Sequence, residues 1–354
     1  MFFLSDWAPN LHPLVVHFPI ALLFCAVLLD AAGLFLRKTS FLRKAATVLF
    51  TLGALAALAA WLTGRQAADS VFLPTAANAL LTEHADLGQW TLWYFGGYAL
   101  LRLSLSFGSI ASKGLVRGLL FVLGLGGLGL LTITADHGAE LVFRHGVGVQ
   151  AVEDMPVQSI IPEDASAVDR GGLTLVGDSL WVLDATRPAA WMKGVEWLSG
   201  SPEGMNASIV DGAEMGDVLA LSPADPDPLF VVPMTLESIQ VDFTVNIDDF
   251  DGSIIIAHHI LDVDNFRFLS IDRDDVRAGA REQGDFVVGS STPTTTEGWH
   301  TFRLVVDGSH VRVYRDTELI GHAHSSEPAP GPVGLRLNGT GRVLLGSVQV
   351  TSLR

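Results

Sequence analysis

The sequence that decides the fold is His12-Pro13-Leu14-Val15-Val16-His17-Phe18-Pro19-Ile20-Ala21-Leu22-Leu23, which opens the first long apolar run of the chain. Proline is favourable at the first helical position, because its missing N–H would have no partner there. We therefore expect a helix that begins at Pro13, with His12 at the cap position. Pro19 lies further inside and removes one backbone hydrogen bond, so the pattern also predicts a kink.

Four apolar segments are long enough to cross a bilayer, which takes about 20 residues. They lie near residues 13–36, 45–64, 87–107 and 115–135. No basic segment precedes the first, and no small-residue cleavage site follows it, so we interpret it as a span and not as a removed signal peptide. The sequence thus predicts a four-transmembrane-helix bundle over residues 1–150, in contact with membrane lipids.

Charge divides the chain into two parts. Residues 1–135 carry eight Lys/Arg and five Asp/Glu, whereas the remainder carries 14 Lys/Arg and 33 Asp/Glu, a net charge of −19. This division indicates a membrane domain followed by an acidic soluble domain. Such acidity argues against nucleic acid as a partner. The single cysteine, Cys25, lies in an apolar run, so no intrachain disulfide is expected.

The basic residues of the membrane part gather in two of its three connections. They are Arg37, Lys38, Arg43 and Lys44 in the first connection, and Arg102, Lys113 and Arg117 in or beside the third. Cytoplasmic loops carry an excess of Lys and Arg, so both connections are predicted to be cytoplasmic. The N- and C-termini then lie outside the inner (plasma) membrane, with everything after residue 135 in a periplasm where the cell has one.

From about residue 171 the pattern changes to short alternating runs with turn residues between them. Residues 238–245 and 301–306 are examples, and Asp307-Gly308 after the second is typical of a hairpin turn. No helical period appears. Residues 171–354 are therefore predicted to form an all-β domain, an antiparallel sandwich outside the membrane, after a polar linker at residues 151–170.

The first 150 residues resemble a family of four-helix prokaryotic membrane domains, the domain of unknown function 2231. The resemblance rests on His12-Pro13 with Val16-His17-Phe18-Pro19-Ile20, on His84-Ala85 with Gly88, and on residues 141–149. It implies a fold and no settled activity.

Residues from about 190 look like a concanavalin/laminin-G-type jelly roll. This resemblance rests on residues 298–306, 311–316, 331–335 and the final strand at 344–350. It implies glycan or protein binding, in some relatives with calcium, and other relatives are glycoside hydrolases. None of these segments is a catalytic motif, and a fold alone does not establish an activity.

Five histidines are predicted at the outer membrane face: His12, His17, His84, His137 and His145. Imidazole is a common ligand of transition metals and of haem, so a metal ion or haem b is one hypothesis. Capping or loop hydrogen bonds and proton handling are the others. His12 and His17 lie about 140° apart around a helix, so both cannot face one point. We favour the structural role, with a cap at His12, and under the metal or haem hypothesis His17 is the better ligand candidate, with His84 and His145 as its partners.

The acidic domain carries two further candidate sites. Turn acids can supply the oxygen ligands that calcium needs, although solvated turn acids are the alternative. The candidates are Asp248, Asp249, Asp251, Asp262 and Asp264. Three tryptophans are candidate interaction residues, on the outside of the sandwich or between it and the membrane, where they would suit a sugar-stacking platform. These are Trp181, Trp191 and Trp197.

An esterase signature is also present in the sequence, as Gly177-Asp178-Ser179-Leu180 with Asp307-Gly308-Ser309-His310 downstream. Such hydrolases place the serine on an α/β scaffold beside a base. Both segments lie in hairpin surroundings, and turn chemistry explains Asp-Gly-Ser without catalysis. We therefore interpret them as turns.

These patterns favour a membrane-anchored, non-enzymatic binding or scaffold protein. It would be an accessory subunit of a larger respiratory or photosynthetic membrane complex, with the periplasmic sandwich as the contact surface for other membrane-protein subunits. Two alternatives stay open. One is a redox or metal protein that uses the outer-face histidines, and the other is a glycan-binding surface protein.

Overall fold

The structure, a computed structural model, describes residues 10–36, 40–107, 113–149, 167–169, 173–176, 180–183 and 191–354. The chain divides into two compact units between Met155 and Pro156. That division lies inside the range predicted as a linker, most of which falls outside the described residues. The first described strand of the sandwich, Ala167–Asp169, also begins before residue 171.

The helical unit contains four long helices that close into a bundle. Its elements are α1 (His12–Val15), α2 (His17–Phe35), α3 (Ser40–Ala68), a 3₁₀ turn (Thr75–Ala77), α4 (Asn78–Ser106) and α5 (Gly114–Phe143). Both α2 and α4 pack against α3 and against α5. Short connections join successive helices, as in bundles of antiparallel neighbours.

The first helix breaks one turn before the predicted kink. Leu11 is the cap residue, so His12 and Pro13 occupy the first helical turn instead of His12 acting as the cap. The helix α1 then ends at Val15. Pro19 has no N–H to donate to the carbonyl of Val15, four residues before it, which explains why the helix breaks at this point.

Three segments of the helical unit are long and apolar enough to cross a membrane: His12–Phe35, Ser40–Ala68 and Gly114–Phe143. The helix α4, predicted as the fourth span, is not among them, although it has 29 residues. Large apolar side chains project outward from all four long helices, including Phe24, Leu55, Trp93 and Val122, each more than half exposed. Helices with apolar residues on every side are typical of a membrane domain, where such side chains contact lipid.

The second unit is an antiparallel β-sandwich, as predicted, with 17 described strands. They are β1 (Ala167–Asp169), β2 (Leu173–Val176), β3 (Leu180–Leu183), β4 (Glu196–Ser199), β5 (Met205–Asp211), β6 (Asp217–Pro223), β7 (Leu229–Leu236), β8 (Ile239–Asn246), β9 (Phe250–Asp262), β10 (Asn265–Ile271), β11 (Asp275–Glu282), β12 (Asp285–Pro293), β13 (His300–Asp307), β14 (His310–Arg315), β15 (Glu318–His324), β16 (Gly331–Gly341) and β17 (Val343–Ser352).

Two sheets form the sandwich. The ten-stranded sheet runs β1-β2-β3-β17-β8-β13-β14-β15, with the hairpin β5–β6 attached to β17 through β6. The seven-stranded sheet runs β12-β11-β10-β9-β16-β7-β4. Side chains alternate between the faces of a strand, so every second residue enters the core between the sheets. Phe243, Phe302 and Leu304 from β8 and β13 are fully buried in that core.

Candidate functional site

Two of the five predicted outer-face histidines come together in the helical unit. The rings of His12 and His84 lie edge to face, with centroids 6.3 Å apart. The Nδ1 atom of His84 lies 2.9 Å from the carbonyl oxygen of Thr134, to which it donates, and Nδ1 of His12 lies 3.3 Å from the hydroxyl of Thr63. Each ring therefore bonds a neighbouring helix.

Glycines make room for both rings. A Cβ at Gly64 of α3 would lie 3.0 Å from Cε1 of His12, and a Cβ at Gly138 of α5 would lie 2.9 Å from Cε1 of His84. Any larger residue at either position would push the ring away. The two histidines are thus built into the contacts between helices, which fits the structural interpretation of these residues.

The other three histidines are not part of this ring contact. His17 is exposed, in contrast to the expectation that it would lead a ligand group. His137 donates from Nδ1 to the carbonyl of Ile133 at 2.9 Å, within its own helix, and His145 is half-buried in the turn after α5. Among the described residues of the helical unit, no three histidines or acids lie close enough to share one metal ion.

A buried ion pair inside the bundle is a feature that the sequence analysis missed. Arg102, assigned above to a connection, is only 3% exposed. Its Nη2 donates to Oδ1 of Asp30 at 2.9 Å, and its Nη1 contacts the second carboxylate oxygen and donates to the Tyr98 hydroxyl at 3.0 Å. The guanidinium lies 4.7 Å above the ring of Phe50. The sequence offered one sign of this ion pair, since Asp30 is the single acidic residue of its apolar segment and Arg102 is the single basic residue of another.

The acids at the β8–β9 turn stabilise that turn and its neighbours. The carboxylate of Asp248 accepts the backbone N–H of Gly298 at 3.0 Å, and Asp249 pairs with Arg342 at 2.5 Å. Asp251 is exposed. The structure therefore gives these carboxylates structural partners and does not gather them around one point.

The acids at the β9–β10 turn have a similar role. Oδ1 of Asp262 accepts the N–H of Asp264 at 2.8 Å and the side-chain amide of Asn265 at 2.9 Å. The Asn265 bond is the main reason why the pKa of Asp262 is lowered. Asp264 pairs with Arg281 at 3.2 Å. Turn chemistry thus accounts for the acids that were predicted as calcium ligands.

Two of the three tryptophans belong to the core instead of the surface. Trp191 is fully buried, and Trp181 is 6% exposed. The ring centroids of Trp191 and Trp197 lie 5.0 Å and 5.3 Å from that of Phe230, and Nε1 of Trp197 donates to the Met192 carbonyl at 3.3 Å. The rings of Trp181 and Trp191 are therefore not available as a sugar-stacking platform.

The esterase signature gains no support as a catalytic arrangement. Residues 177–179 lie outside the described residues. Asp307 and His310 are opposite each other in the register of β13 and β14. The turn between them contains Gly308, which has a φ of 57°. These residues form the predicted hairpin.

A group of three histidines on the ten-stranded sheet is the clearest candidate site, and the sequence analysis did not identify it. His310 lies on β14, and His322 and His324 lie two residues apart on β15, with His324 directly opposite His310. The ring centroid of His324 lies 4.5 Å from that of His310 and 5.0 Å from that of His322. Each histidine offers one ring nitrogen as a possible ligand, and these three nitrogens lie within 4.8 Å of one another.

The surroundings of His310 favour its neutral form. Burial is the main cause that lowers the pKa of His310 to about 4, and the nearby charge of Arg312 acts in the same direction. Nδ1 of His310 is buried without a hydrogen-bond partner among the described residues. The signal that could have identified the group is the motif His322-Ala323-His324, since residues i and i+2 of a strand share one face.

A separate pair, His258 and His259, is buried near the end of β9. Their Nδ1 atoms lie 2.7 Å apart, and Nε2 of His259 lies 3.0 Å from the carbonyl oxygen of Glu237. His259 must donate to that carbonyl from Nε2, so its Nδ1 accepts the proton of His258. Burial is the main cause that lowers the pKa of both imidazoles. These hydrogen bonds lie at an irregularity in the pairing of β9 with β10, where His259 has a φ of 50°.

Comparison with known proteins identifies the helical unit. Residues 8–151 match the family model described as "Predicted membrane protein (DUF2231)". No curated protein gives a significant match to the chain.

Several solved structures resemble part of the chain. The carbohydrate-binding module CBM66 from Bacillus subtilis is 17% identical, and the match covers 45% of this chain and 96% of that one, with a TM-score of 0.35. A protein of unknown function with a galectin-like fold from Bacillus subtilis is 13% identical, with 46% and 90% covered and a TM-score of 0.36. The Crh5 transglycosylase in complex with NAG is 11% identical, with 50% and 85% covered and a TM-score of 0.36.

The arrangement of strands, described above from this structure alone, is that of an antiparallel β-sandwich. The family match covers the helical bundle and ends before the first described strand. Residues 8–151 of this chain therefore match the DUF2231 family of predicted membrane proteins, and a β-sandwich follows them in the sequence.

Proposed function

We propose that the protein is a membrane-anchored, non-enzymatic binding protein that presents its β-sandwich on the outer side of the cell membrane. The observation that carries this proposal is the distribution of charge between the two ends of the bundle. Arg117 donates to the carbonyl of Gly33, so the first and third connections lie at one end. That end carries Arg43, Lys44 and Lys113 as well. Loops rich in Lys and Arg stay in the cytoplasm.

The chain leaves the bundle at the opposite end. Leu141, near the end of α5, packs there with Val71 and Leu73 of the connection between α3 and α4. The nearby Arg144 is paired with Glu140, and Arg65 is outnumbered by the acids at 69, 83 and 86. An end with no excess of basic residues is not held in the cytoplasm, so the residues that follow α5 would be external.

This arrangement requires α4 to cross the membrane together with the other three long helices. With 29 residues it is about 43 Å long at 1.5 Å per residue, enough for the hydrocarbon core. Its hydropathy is low because it contains Glu83, Asp86, Gln89 and Arg102 as well as several aromatic residues. Trp90 and Trp93 are 65% and 68% exposed, as expected of large apolar side chains that contact lipid.

The contact surface we infer is the edge strand β12. It lies at one end of the seven-stranded sheet, and Phe286, Val287 and Val288 are 42%, 51% and 48% exposed. Proteins usually protect edge strands with charged residues or proline, because an open apolar edge accepts another strand. Three successive apolar residues at such an edge favour a partner that adds an extended segment to the sheet.

The partner would be another protein rather than a second copy of this chain. Residues 136–354 carry 14 Lys/Arg against 33 Asp/Glu, so two sandwich domains would repel each other. The same charge favours a partner whose extended segment is basic. We also propose that this partner is a subunit of a larger membrane complex.

The test replaces one residue of β12 in the full chain. We expect the native protein, extracted in mild detergent, to have the mass of a complex with a second protein, and Val287→Lys to have the mass of the single chain. Met215→Lys is the matched control, because Met215 is 43% exposed on another part of the sandwich. A native protein that runs as a single chain, or a complex that survives Val287→Lys, would contradict this contact surface.

A further inference from the structure

We propose that His310, His322 and His324 bind one divalent transition-metal ion, of the kind that imidazole ligands favour, on the outer face of the ten-stranded sheet. This site lies in the sandwich and is separate from the outer-face histidines of the helical unit. It shares no residue with the proposed contact surface at Phe286, Val287 and Val288 of β12, although the other end of that strand contacts β15 where Thr292 donates to the carbonyl of Ile320.

Two tight hairpins bring the three histidines together. The turn Gly308-Ser309 joins β13 to β14, and the turn that begins at Asp316, with a φ of 58°, joins β14 to β15. Between these turns, Val311 and Val313 of β14 face the core. Because side chains alternate along a strand, His310 is directed to the other face, away from the core.

The distances suit a metal ion after a small movement of the rings. The candidate ligand atoms lie within 4.8 Å of one another. Zinc binds histidine nitrogen at about 2.0–2.1 Å in a tetrahedron, which places the nitrogens about 3.3 Å apart. The rings would therefore close by about 1.5 Å, which rotation about the side-chain bonds can supply. The backbone already holds the three residues in register.

The charged groups beside the three histidines have opposite signs. Asp307 is opposite His310 in the register of β13 and β14 and has a buried carboxylate, one oxygen of which lies 3.1 Å from Nη2 of Arg354. Arg312 lies opposite His322 and disfavours a cation, but the domain as a whole is strongly acidic.

The donor set determines the kind of ion. Imidazoles suit zinc, copper and nickel, whereas calcium and magnesium require oxygen ligands. Three protein ligands leave one position of a tetrahedral ion for water or for a group from outside the chain. His324 is exposed, so that position would be accessible from solvent.

The test uses the full chain in detergent, purified with an affinity tag that contains no histidine. Zinc content is measured after dialysis, and cobalt(II) is titrated in while its visible absorption is followed. We expect one ion per chain in the native protein and a loss of at least tenfold in affinity in His310→Gln, His322→Gln and His324→Gln. Zinc should raise the melting temperature of the native protein and should not do so in these variants.

Two controls separate this site from other histidines. His300→Gln changes a histidine of the same sheet that is held by Asp316 at 3.0 Å, and it should bind the metal as the native protein does. His12→Gln with His84→Gln removes the pair in the helical unit and should also leave binding unchanged. Melting without metal shows that each variant is folded. No binding, one ion per two chains, or loss of binding only in the His12/His84 variant would overturn the proposal.

Discussion

At the scale of single residues, the helical unit contains a buried charge pair whose disruption should lower its stability strongly. Arg102 and Asp30 hold each other inside the bundle, with the Tyr98 hydroxyl as a further acceptor of the guanidinium. Removing one partner of a buried pair leaves an uncompensated charge, which costs about 3–5 kcal/mol. We therefore predict that Asp30→Asn lowers the free energy of unfolding in detergent by about that amount.

The double variant tests whether the pair itself is responsible. In Asp30→Asn with Arg102→Met the unpaired charge is absent, so we expect most of the lost stability to return. Denaturant unfolding of the four proteins gives the coupling energy between the two sites. Equal losses in the single and double variants would mean that the two residues do not stabilise the bundle as a pair.

Residue roles were the part of the site that the sequence predicted least well. The sequence predicted five histidines at one end of the helical unit, and two of them, His12 and His84, are in contact. It favoured His17 as the better ligand candidate, but this side chain is exposed. It also placed Arg102 in a connection, since hydropathy does not show which charge has a partner on another helix.

At the scale of elements, close contact between α4 and α5 depends on glycine. A Cβ at Gly127 would lie 2.7 Å from Cζ of Phe95, which is fully buried, whereas a Cβ at Gly129 meets no atom within 4 Å. We predict that Gly127→Ala destabilises the bundle by about 1–3 kcal/mol through overpacking. Gly129→Ala is the matched control and should stabilise α5 by up to about 1 kcal/mol. Melting temperatures in detergent that change equally would contradict this packing.

The strands that the sequence predicted correctly include two with an alternating pattern. Residues 238–245 and 301–306 alternate between apolar and polar side chains, and they form the central strands β8 and β13. The strand β15 was missed because Gly321 and the two histidines interrupt its apolar pattern. The three-histidine group was missed with it, since the group exists only when β14 and β15 are paired in register.

At the scale of the whole molecule, the chain combines two units with different solvents. The helices have apolar residues on their outer surfaces, and the sandwich buries its apolar residues between two sheets. The composition was sufficient to predict this division, because the hydropathy and the charge change together along the sequence. It was not sufficient to fix the boundary, which falls between Met155 and Pro156 in a polar stretch without a periodic pattern.

The central claim is that the sandwich lies outside the membrane and the basic end of the bundle lies inside. Single cysteines in a Cys25→Ser background test it directly, because the native chain has no other cysteine. Glu327→Cys reports on the sandwich and Ser40→Cys on the basic end, and both positions are exposed. The reagent is a maleimide that cannot cross the inner membrane, added to cells in which only the outer membrane, where there is one, has been made permeable. We predict that Glu327→Cys is labelled in these cells and that Ser40→Cys is labelled only after lysis. Labelling of Ser40→Cys in intact cells, with Glu327→Cys protected, would contradict the orientation.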